Sequence, residues 1–203
     1  MSQADREKWN ERYRSGTYVS RTHPSALLTE WLPKLGWGGD GRRALDVACG
    51  RGRNSVYLAR EEWQVDAIDI SNVALDHLSE TARAENLSIT CFEADLGNPE
   101  NRFKCFFKGG QYDLGILVRY TDLSLLDILN GALKDGGCLI VEEHLVTDAD
   151  VVGPQNSKFR VEPGALLNAA AGFEVISYRE GIIDDPDGRP AALAQLVARK
   201  TSP

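Results

Sequence analysis

The sequence predicts an α/β fold, a Rossmann-like doubly wound sheet, and three observations predict it. From Arg42 onward, apolar runs of strand length alternate with segments of helical period, which is typical of repeated strand-helix-strand units. The first strand runs directly into a glycine-rich turn, and the second strand ends in a carboxylate. The length of 203 residues suits a single domain with a substantial core.

The predicted elements follow in chain order. Before the sheet, residues 3–15 and Ser25–Leu35 have amphipathic helical patterns, and Ser25 is a candidate N-cap. Strands are predicted at Ala44–Cys49, Gln64–Ile70, Ser88–Glu93, Tyr112–Val118 and Cys138–Glu143, with helices between them at Arg53–Glu62, Val73–Asn86 and Ser124–Lys134.

The remaining crossover and the last quarter of the chain differ from this pattern. Asn98–Gly110 contains a proline and paired glycines and is predicted to be irregular. A helix is predicted at Glu162–Ala171, followed by strands at Phe173–Tyr178 and Leu193–Arg199 with a polar turn, Asp184–Pro190, between them. Because no helix separates these two strands, we expect an antiparallel hairpin at the edge of the sheet.

Composition limits the possible partners. The formal net charge of -7 argues against nucleic acid as the main partner, because affinity for phosphate backbones comes largely from clustered Lys and Arg. The four cysteines are far apart and show no zinc spacing, so we expect buried, reduced thiols and no metal site. They are Cys49, Cys91, Cys105 and Cys138. No apolar run resembles a signal peptide or a membrane span, which predicts a cytoplasmic protein without a membrane partner.

The turn from Asp46 to Gly52 is the strongest functional signal. Gly50 and Gly52 allow the backbone to turn tightly and to approach a ligand where a Cβ would collide. Such a turn alone also fits an ordinary connection between a strand and a helix.

Carboxylates at three successive strand ends strengthen this signal. Asp46, Asp69 and Asp95 each lie at or near the end of a predicted strand. In dinucleotide-binding folds, an acidic residue about 20 positions beyond the glycines accepts hydrogen bonds from ribose hydroxyls, and Asp69 fits that role. The pattern predicts a nucleotide-bearing cofactor at this edge of the sheet.

Two cofactors compete for this arrangement. A nicotinamide fingerprint needs a third small residue at the position of Ser55, and it places a diphosphate on the following helix N-terminus. The carboxylate of Asp46 would repel a diphosphate, whereas it suits the ammonium and sulfonium groups of S-adenosylmethionine. Electrostatics therefore favours the methyl donor, and a nicotinamide-dependent oxidoreductase remains the alternative.

The ordered motifs resemble those of class I S-adenosylmethionine-dependent methyltransferases. The matching segments are residues 45–54, Asp69-Ile70-Ser71, Ala94-Asp95-Leu96, Tyr112-Asp113-Leu114 and Leu133-Lys134-Asp135-Gly136-Gly137. The opening Trp9-Asn10-Glu11-Arg12-Tyr13 and the tail from Glu162 to Lys200 are similar to the bacterial tellurite-resistance branch of that superfamily.

This resemblance implies a seven-stranded sheet in the order 3-2-1-4-5-7-6, with strand 7 antiparallel. It implies one methyltransferase domain over residues 1–203, in which 1–40 form a helical cap and 42–203 a Rossmann-like core. The implied cofactor is S-adenosylmethionine, with Asp46, Ala48, Gly50 and Gly52 at its methionine end, Asp69 at the ribose, and Ile70, Asp95 and Leu96 at the adenine; Asn54 and Arg119 complete the set. The family often has glycine where this chain has Ala48, so we expect a slightly tighter turn with intact binding.

Candidate acceptor residues lie at the ends of strands 4 and 5. Arg119 could hold an anionic substrate, Tyr120 could steer the methyl group, and His144 could accept a proton. The loop after strand 4 lacks the Asn/Asp-Pro-Pro-aromatic motif of amino-directed nucleic-acid methyltransferases. We therefore expect a small-molecule acceptor, such as an oxyanion like tellurite or a thiol, and a monomer or homodimer. A cofactor-binding, methyltransferase-like protein without turnover is a further alternative.

Overall fold

The structure is a computed structural model that describes residues 3–37, 39–98, 109–186 and 188–202. The helices are α1 (Gln3–Arg14), α2 (Ala26–Trp31), α3 (Arg53–Arg60), α4 (Asn72–Glu85), α5 (Leu125–Ala132) and α6 (Ala165–Ala169), with 3-10 turns at Pro33–Leu35 and Ser157–Phe159. The strands are β1 (Arg43–Val47), β2 (Gln64–Asp69), β3 (Ile89–Glu93), β4 (Tyr112–Val118), β5 (Leu133–His144), β6 (Phe173–Asp184) and β7 (Pro190–Lys200). Within these ranges, no helix is long and apolar enough to cross a membrane.

The seven strands form one sheet in the order β3-β2-β1-β4-β5-β7-β6. β7 runs antiparallel to both β5 and β6, and the other neighbouring strands are parallel. This confirms the predicted topology and the terminal hairpin. The direction of winding reverses between β1 and β4, and ligands of such sheets bind in the crevice outside the carboxyl ends of the strands at that point.

Several predicted boundaries were wrong. The hairpin strands extend to a pairing of Asp184 with Pro190, so residues assigned to the turn continue the antiparallel ladder. The helix before β5 ends at Ala132 because Leu133 is already extended and pairs with Tyr112. Most of the predicted irregular crossover, residues 99–108, lies outside the described residues, as does Cys105.

Ser25 occupies the N-cap position of α2, as predicted, but its side chain makes no capping hydrogen bond. Instead, Ser25 Oγ donates to Glu142 Oε2 at 3.0 Å, deep in the molecule. The hydroxyl therefore joins the N-terminal segment to β5 and does not cap its own helix.

The core lies on both faces of the sheet, because alternate side chains of each strand point in opposite directions. On β5, Leu139 and Val141 join one buried cluster with α5 and α6, while Cys138 and Ile140 join the other with α2 and α3. Burial of each such aliphatic side chain stabilises the fold by roughly 1.5–3 kcal/mol. Of the thiols expected to be buried, Cys138 is buried, whereas Cys49 and Cys91 are partly exposed.

Gly52 sets the approach of the turn after β1 to α4. Its φ of 75° lies in the left-handed region. A Cβ at this position would lie 2.3 Å from Leu78 Cδ1 of α4. The glycine therefore serves both the backbone conformation and the close packing.

We expect Gly52→Ala to destabilise the protein more than Gly41→Ala does. Gly41 has a similar φ of 71°, and among the described atoms a Cβ there would meet nothing within 4 Å. Gly41→Ala should therefore cost only the left-handed strain of about 1–2 kcal/mol. Gly52→Ala should cost about 1–3 kcal/mol more because of overpacking. Urea unfolding followed by tryptophan fluorescence measures both, and equal losses would contradict the packing argument.

Candidate cofactor and acceptor site

A cavity of about 1340 Å³ opens at the carboxyl edge of the parallel strands. Its wall includes the turn after β1, the ends of β2, β4 and β5, one side of α1 and residues 150–156. The sheet order places the β2 and β3 ends on one side of β1 and the β4 and β5 ends on the other. We call these two regions the cofactor end (Gly50, Asp69, Ile70, Leu96) and the acceptor end (Arg53, Arg119, Tyr120, His144).

The turn after β1 is shaped by three residues with positive φ. Ala48, Gly50 and Gly52 have φ values of 56°, 57° and 75°. A Cβ at Gly50 would lie 2.6 Å from the hydroxyl of Tyr13, so only glycine lets α1 close over the turn. Ala48 holds the left-handed conformation that glycine favours, which gives a physical reason for the glycine that the family often has there.

Asp69 ties the turn to the end of β2. Its Oδ2 accepts from Gly50 N and its Oδ1 from Ser71 N, both at 2.8 Å. Burial raises the pKa of this carboxyl above its ordinary value, while the backbone amides act in the opposite direction. Asp69 also lines the cavity, so its remaining lone pairs can accept ribose hydroxyls.

The adenine residues predicted from the sequence separate into two groups. Ile70 and Leu96 are buried and line the cavity, where they can pack against a flat ring. Asp95 does not belong to the wall; its Oδ1 accepts from Gly97 N at 2.8 Å. Asp95 therefore shapes the turn after β3, and Gly97 of that turn reaches the cavity.

The residues predicted at the methionine end also separate. Asp46 is only 1% exposed, lies behind the wall and accepts from Ser55 Oγ at 2.6 Å. Burial raises the pKa of Asp46 to about 6. Ala48 and Asn54 line the cavity, and Asn54 Oδ1 accepts from Ser25 N at 2.8 Å. Asp46 therefore supports the turn through Ser55 and makes no direct wall contact.

Sequence analysis assigned no residue of α1 to the site. In the structure, Trp9, Tyr13 and Tyr18 line the cavity, and their ring centroids lie 5.5–6.3 Å apart. Asn10 fixes the helix, because its Nδ2 donates to Asn72 Oδ1 and its Oδ1 accepts from Ser71 Oγ, both at 2.7 Å. The spacing of Trp9 and Tyr13 was the available signal, since it places both rings on one helical face.

Arg119 is held by two carboxylates. Its Nε donates to Glu142 Oε1 at 3.2 Å, and its Nη2 donates to Asp185 Oδ1 at 2.9 Å. The backbone of Arg119 has a φ of 64°, and its amide donates to Glu142 O at 2.6 Å. Arg119 lines the cavity, and its buried Nη1 has no hydrogen-bond partner among the described residues. The two carboxylates leave little net positive charge at this residue.

Tyr120 is fixed from the other face of β5. Its backbone amide donates to Glu143 Oε1 at 2.9 Å, and Tyr120 lines the cavity. Glu143 is fully buried, and burial raises the pKa of its carboxyl well above its ordinary value. The adjacent residues Glu142 and Glu143 thus hold the end of β4 from opposite sides of the sheet.

His144 lines the acceptor end and is 5% exposed. Its Nδ1 is buried without a partner in the described structure, close to Gly153, where a Cβ would lie 2.8 Å from it. Burial lowers the pKa of His144 to about 3, and the guanidinium groups of Arg119, Arg160, Arg21 and Arg53 act in the same direction. The imidazole is therefore a neutral base at pH 7, with Nε2 as the nitrogen left for a ligand.

We expect the His144 imidazole to stay neutral at pH values where an ordinary histidine is protonated. Its folded pKa of about 3 lies below the usual 6.5, so protonation favours unfolding and stability declines as the pH falls from 6.5 toward 3. An NMR titration of the ring signals from pH 8 to 4 tests this. Signals missing from the His144→Asn spectrum assign the residue, and a midpoint near 6.5 would contradict the burial argument.

Comparison with known proteins agrees with this geometry. The model of a methyltransferase domain family matches residues 44–137. The sheet order, the ordered motifs and this match are similar to those of class I S-adenosylmethionine-dependent methyltransferases, and they favour the methyl donor over a nicotinamide cofactor. The chain is similar to TehB of Haemophilus influenzae, a probable S-adenosyl-L-methionine-dependent methyltransferase, with 26% identity over 164 residues.

These alignments differ in extent. The match to TehB covers 78% of this chain but only 57% of the relative. The crystal structure of TehB from Haemophilus influenzae superposes with a TM-score of 0.64 at 22% identity, covering 94% of this chain and 62% of that chain. Geranyl diphosphate C-methyltransferase from Streptomyces coelicolor, in a complex with S-adenosyl-L-homocysteine, gives a TM-score of 0.64 at 16% identity, with 87% and 80% covered. At these identities the two structures establish a common fold.

Proposed function

We propose that this chain transfers the methyl group of S-adenosylmethionine to a small-molecule acceptor, such as an oxyanion or a thiol, bound at the acceptor end. The observation that carries the proposal is the division of one cavity between two chemistries. Asp69 and two apolar side chains lie at one end, whereas a neutral imidazole and several guanidinium groups lie at the other. A nucleoside with a positively charged sulfur and an electron-rich acceptor would fit side by side.

The residues at the cofactor end fit the methyl donor. Asp69 would accept the ribose hydroxyls, Ile70 and Leu96 would enclose the adenine, and the glycine turn would carry the methionine portion. When bound, S-adenosylmethionine supplies an electrophilic methyl group, which leaves the sulfur as its bond to the acceptor forms and yields S-adenosylhomocysteine. Tyr13 closes the turn from above and limits access of water.

At the acceptor end, the chain positions the nucleophile. In-line displacement depends mainly on orientation, which the fixed backbone of Arg119 and Tyr120 supports. Where the acceptor atom carries a proton, as a thiol does, His144 Nε2 would accept a hydrogen bond from it and orient the atom. The proton would pass to solvent, because a pKa of about 3 lies too far below the working pH for a general base. The predicted anion-holding role passes from Arg119, which two carboxylates already engage, to neighbouring guanidinium groups.

We further propose that the whole chain acts as one methyltransferase domain, with residues 1–40 as its cap. The contacts of α1 support this proposal, because Asn10 bonds to the start of α4 and Arg6 pairs with Glu93 of β3 at 2.9 Å. The cap thereby covers the cofactor end.

We expect the chain to bind S-adenosylhomocysteine and Asp69→Asn to weaken that binding at least about tenfold, or about 1.4 kcal/mol. The substitution removes the charge and an acceptor that faces the ribose. Isothermal titration calorimetry measures both affinities. Asp76→Asn, an exposed carboxylate on α4, is the matched control and should bind like the wild type. No heat with the wild-type protein would refute the proposed function.

We expect His144→Asn to slow methylation of a thiol about tenfold, or roughly 1.4 kcal/mol, because the hydrogen bond that orients the acceptor is lost or displaced. The affinity for S-adenosylhomocysteine should stay within a factor of two or so of the wild-type value. Release of S-adenosylhomocysteine during reaction with a panel of thiols and tellurite measures the rate. Binding without any methylated product would favour a protein that has lost turnover, and an unchanged thiol rate would remove His144 from the chemistry.

A further inference from the structure

We propose that the acceptor is an organic acid, whose carboxylate or phosphate is held by Arg53 and Arg21 while its apolar body lies against the wall formed by residues 150–156 and Phe159. This inference rests on the proposed methyl transfer and names its substrate class. Both the charge and the size of the acceptor end support it.

The acceptor end contains several guanidinium groups, although the whole chain carries a formal net charge of -7. Those of Arg21, Arg53, Arg119 and Arg189 line the cavity, as do the carboxylates of Asp122 and Asp150. Two further carboxylates engage Arg119. Arg119, Arg21 and Arg53 are close enough to the neutral imidazole of His144 to help burial lower its pKa.

Arg53 lacks a comparable partner. Its Nη1 donates to the backbone carbonyl of His23 at 2.7 Å, and within the described ranges no carboxylate lies at ion-pair distance from it. Burial and the charges of Arg119 and Arg21 lower the pKa of Arg53, against the opposite effect of Glu142 and Asp185. A largely desolvated guanidinium that is not paired with a carboxylate is costly, and a ligand anion would relieve that cost.

The size of the cavity favours an organic molecule over an inorganic ion. Its volume of about 1340 Å³ exceeds the range of roughly 300–1000 Å³ that is usual for a single ligand. A cofactor at one end therefore leaves space for a second organic molecule. An inorganic oxyanion needs only a few times the roughly 30 Å³ of a water molecule.

The lining of the acceptor end is also partly apolar. The apolar residues there are Val118, Val151, Val152, Pro154, Phe159 and Pro190. The ammonium group of Lys8 lies 5.5 Å from the ring centroid of Phe159, so a further cation stands at the rim of the cavity. A tellurite ion has no apolar surface to bury against this wall, whereas a ring or short hydrocarbon does. The combination describes an acid group attached to an apolar body.

Binding of simple probes to the full chain saturated with S-adenosylhomocysteine tests this proposal. The probes are benzoate, phenyl phosphate, the neutral analogue benzamide and inorganic phosphate, each titrated by calorimetry and thermal shift. We expect benzoate or phenyl phosphate to bind at least tenfold more tightly than benzamide and inorganic phosphate. Whichever of benzoate and phenyl phosphate binds more tightly identifies the acid group as a carboxylate or a phosphate.

A matched pair of variants on α3 locates the anion. Arg53→Gln should weaken the preferred acid probe at least tenfold, whereas Arg60→Gln should not, because Arg60 pairs with Glu85 on the outer surface. Arg21→Gln replaces Arg53→Gln if the latter does not fold.

Three outcomes would overturn the inference: equal binding of benzamide and benzoate, inorganic phosphate bound as tightly as the organic acids, or no binding of any probe. Failure of the wild-type chain to bind S-adenosylhomocysteine would instead refute the proposed function. Failure of the inference and failure of the proposed function are therefore distinguishable.

Discussion

The carboxylate of Asp69 is the interaction on which the cofactor end depends. By accepting from the amides of Gly50 and Ser71, it fixes the turn after β1 and the start of α4 with one side chain. The fixed turn then lets Tyr13 approach Gly50, and the Ser71 hydroxyl holds Asn10 of the same helix. The position of the cap is therefore a consequence of how β2 ends. A carboxylate with two backbone donors is well ordered before a ligand arrives, so little conformational entropy remains to be lost on binding.

Glu142 has the corresponding position at the acceptor end. Its carboxylate accepts from Ser25 Oγ, Gln195 Nε2 and Arg119 Nε, so it connects the N-terminal segment, β7 and the end of β4. Asp185 adds a contact from the terminal hairpin to the same guanidinium. Removal of the charge of Glu142 or Arg119 would leave its buried partner without a counter-charge, which is costly in a protein interior. The long-range hairpin thus contributes to the site as well as to the edge of the sheet.

The sequence predicts the sheet, its order and the glycine turn because these depend on local patterns and on motifs that are continuous in the chain. It does not predict the charge state of the acceptor end, because that depends on contacts between distant segments. From the sequence, Arg119 is expected to be a free cation, yet it donates a hydrogen bond to Asp185, 66 residues away. From the sequence, His144 is expected to be an ordinary histidine, yet burial lowers its pKa, and guanidinium groups from four separate positions act in the same direction. The proposed role of Arg53 follows only from the fold, in which none of the described carboxylates lies at ion-pair distance from it.

The contrast between overall and local charge is compatible with the proposed binding of a small anion by a chain whose net charge is negative. At physiological ionic strength, charges separated by more than about 8 Å of solvent are largely screened. The net charge of -7 therefore acts mainly on large partners that contact much of the surface, such as nucleic acid. A small anion inside the cavity is exposed chiefly to the nearest guanidinium groups, in surroundings where charges interact more strongly than in water. Selection by charge and selection by size thus act together, because only a ligand small enough to enter the cavity meets its positive end.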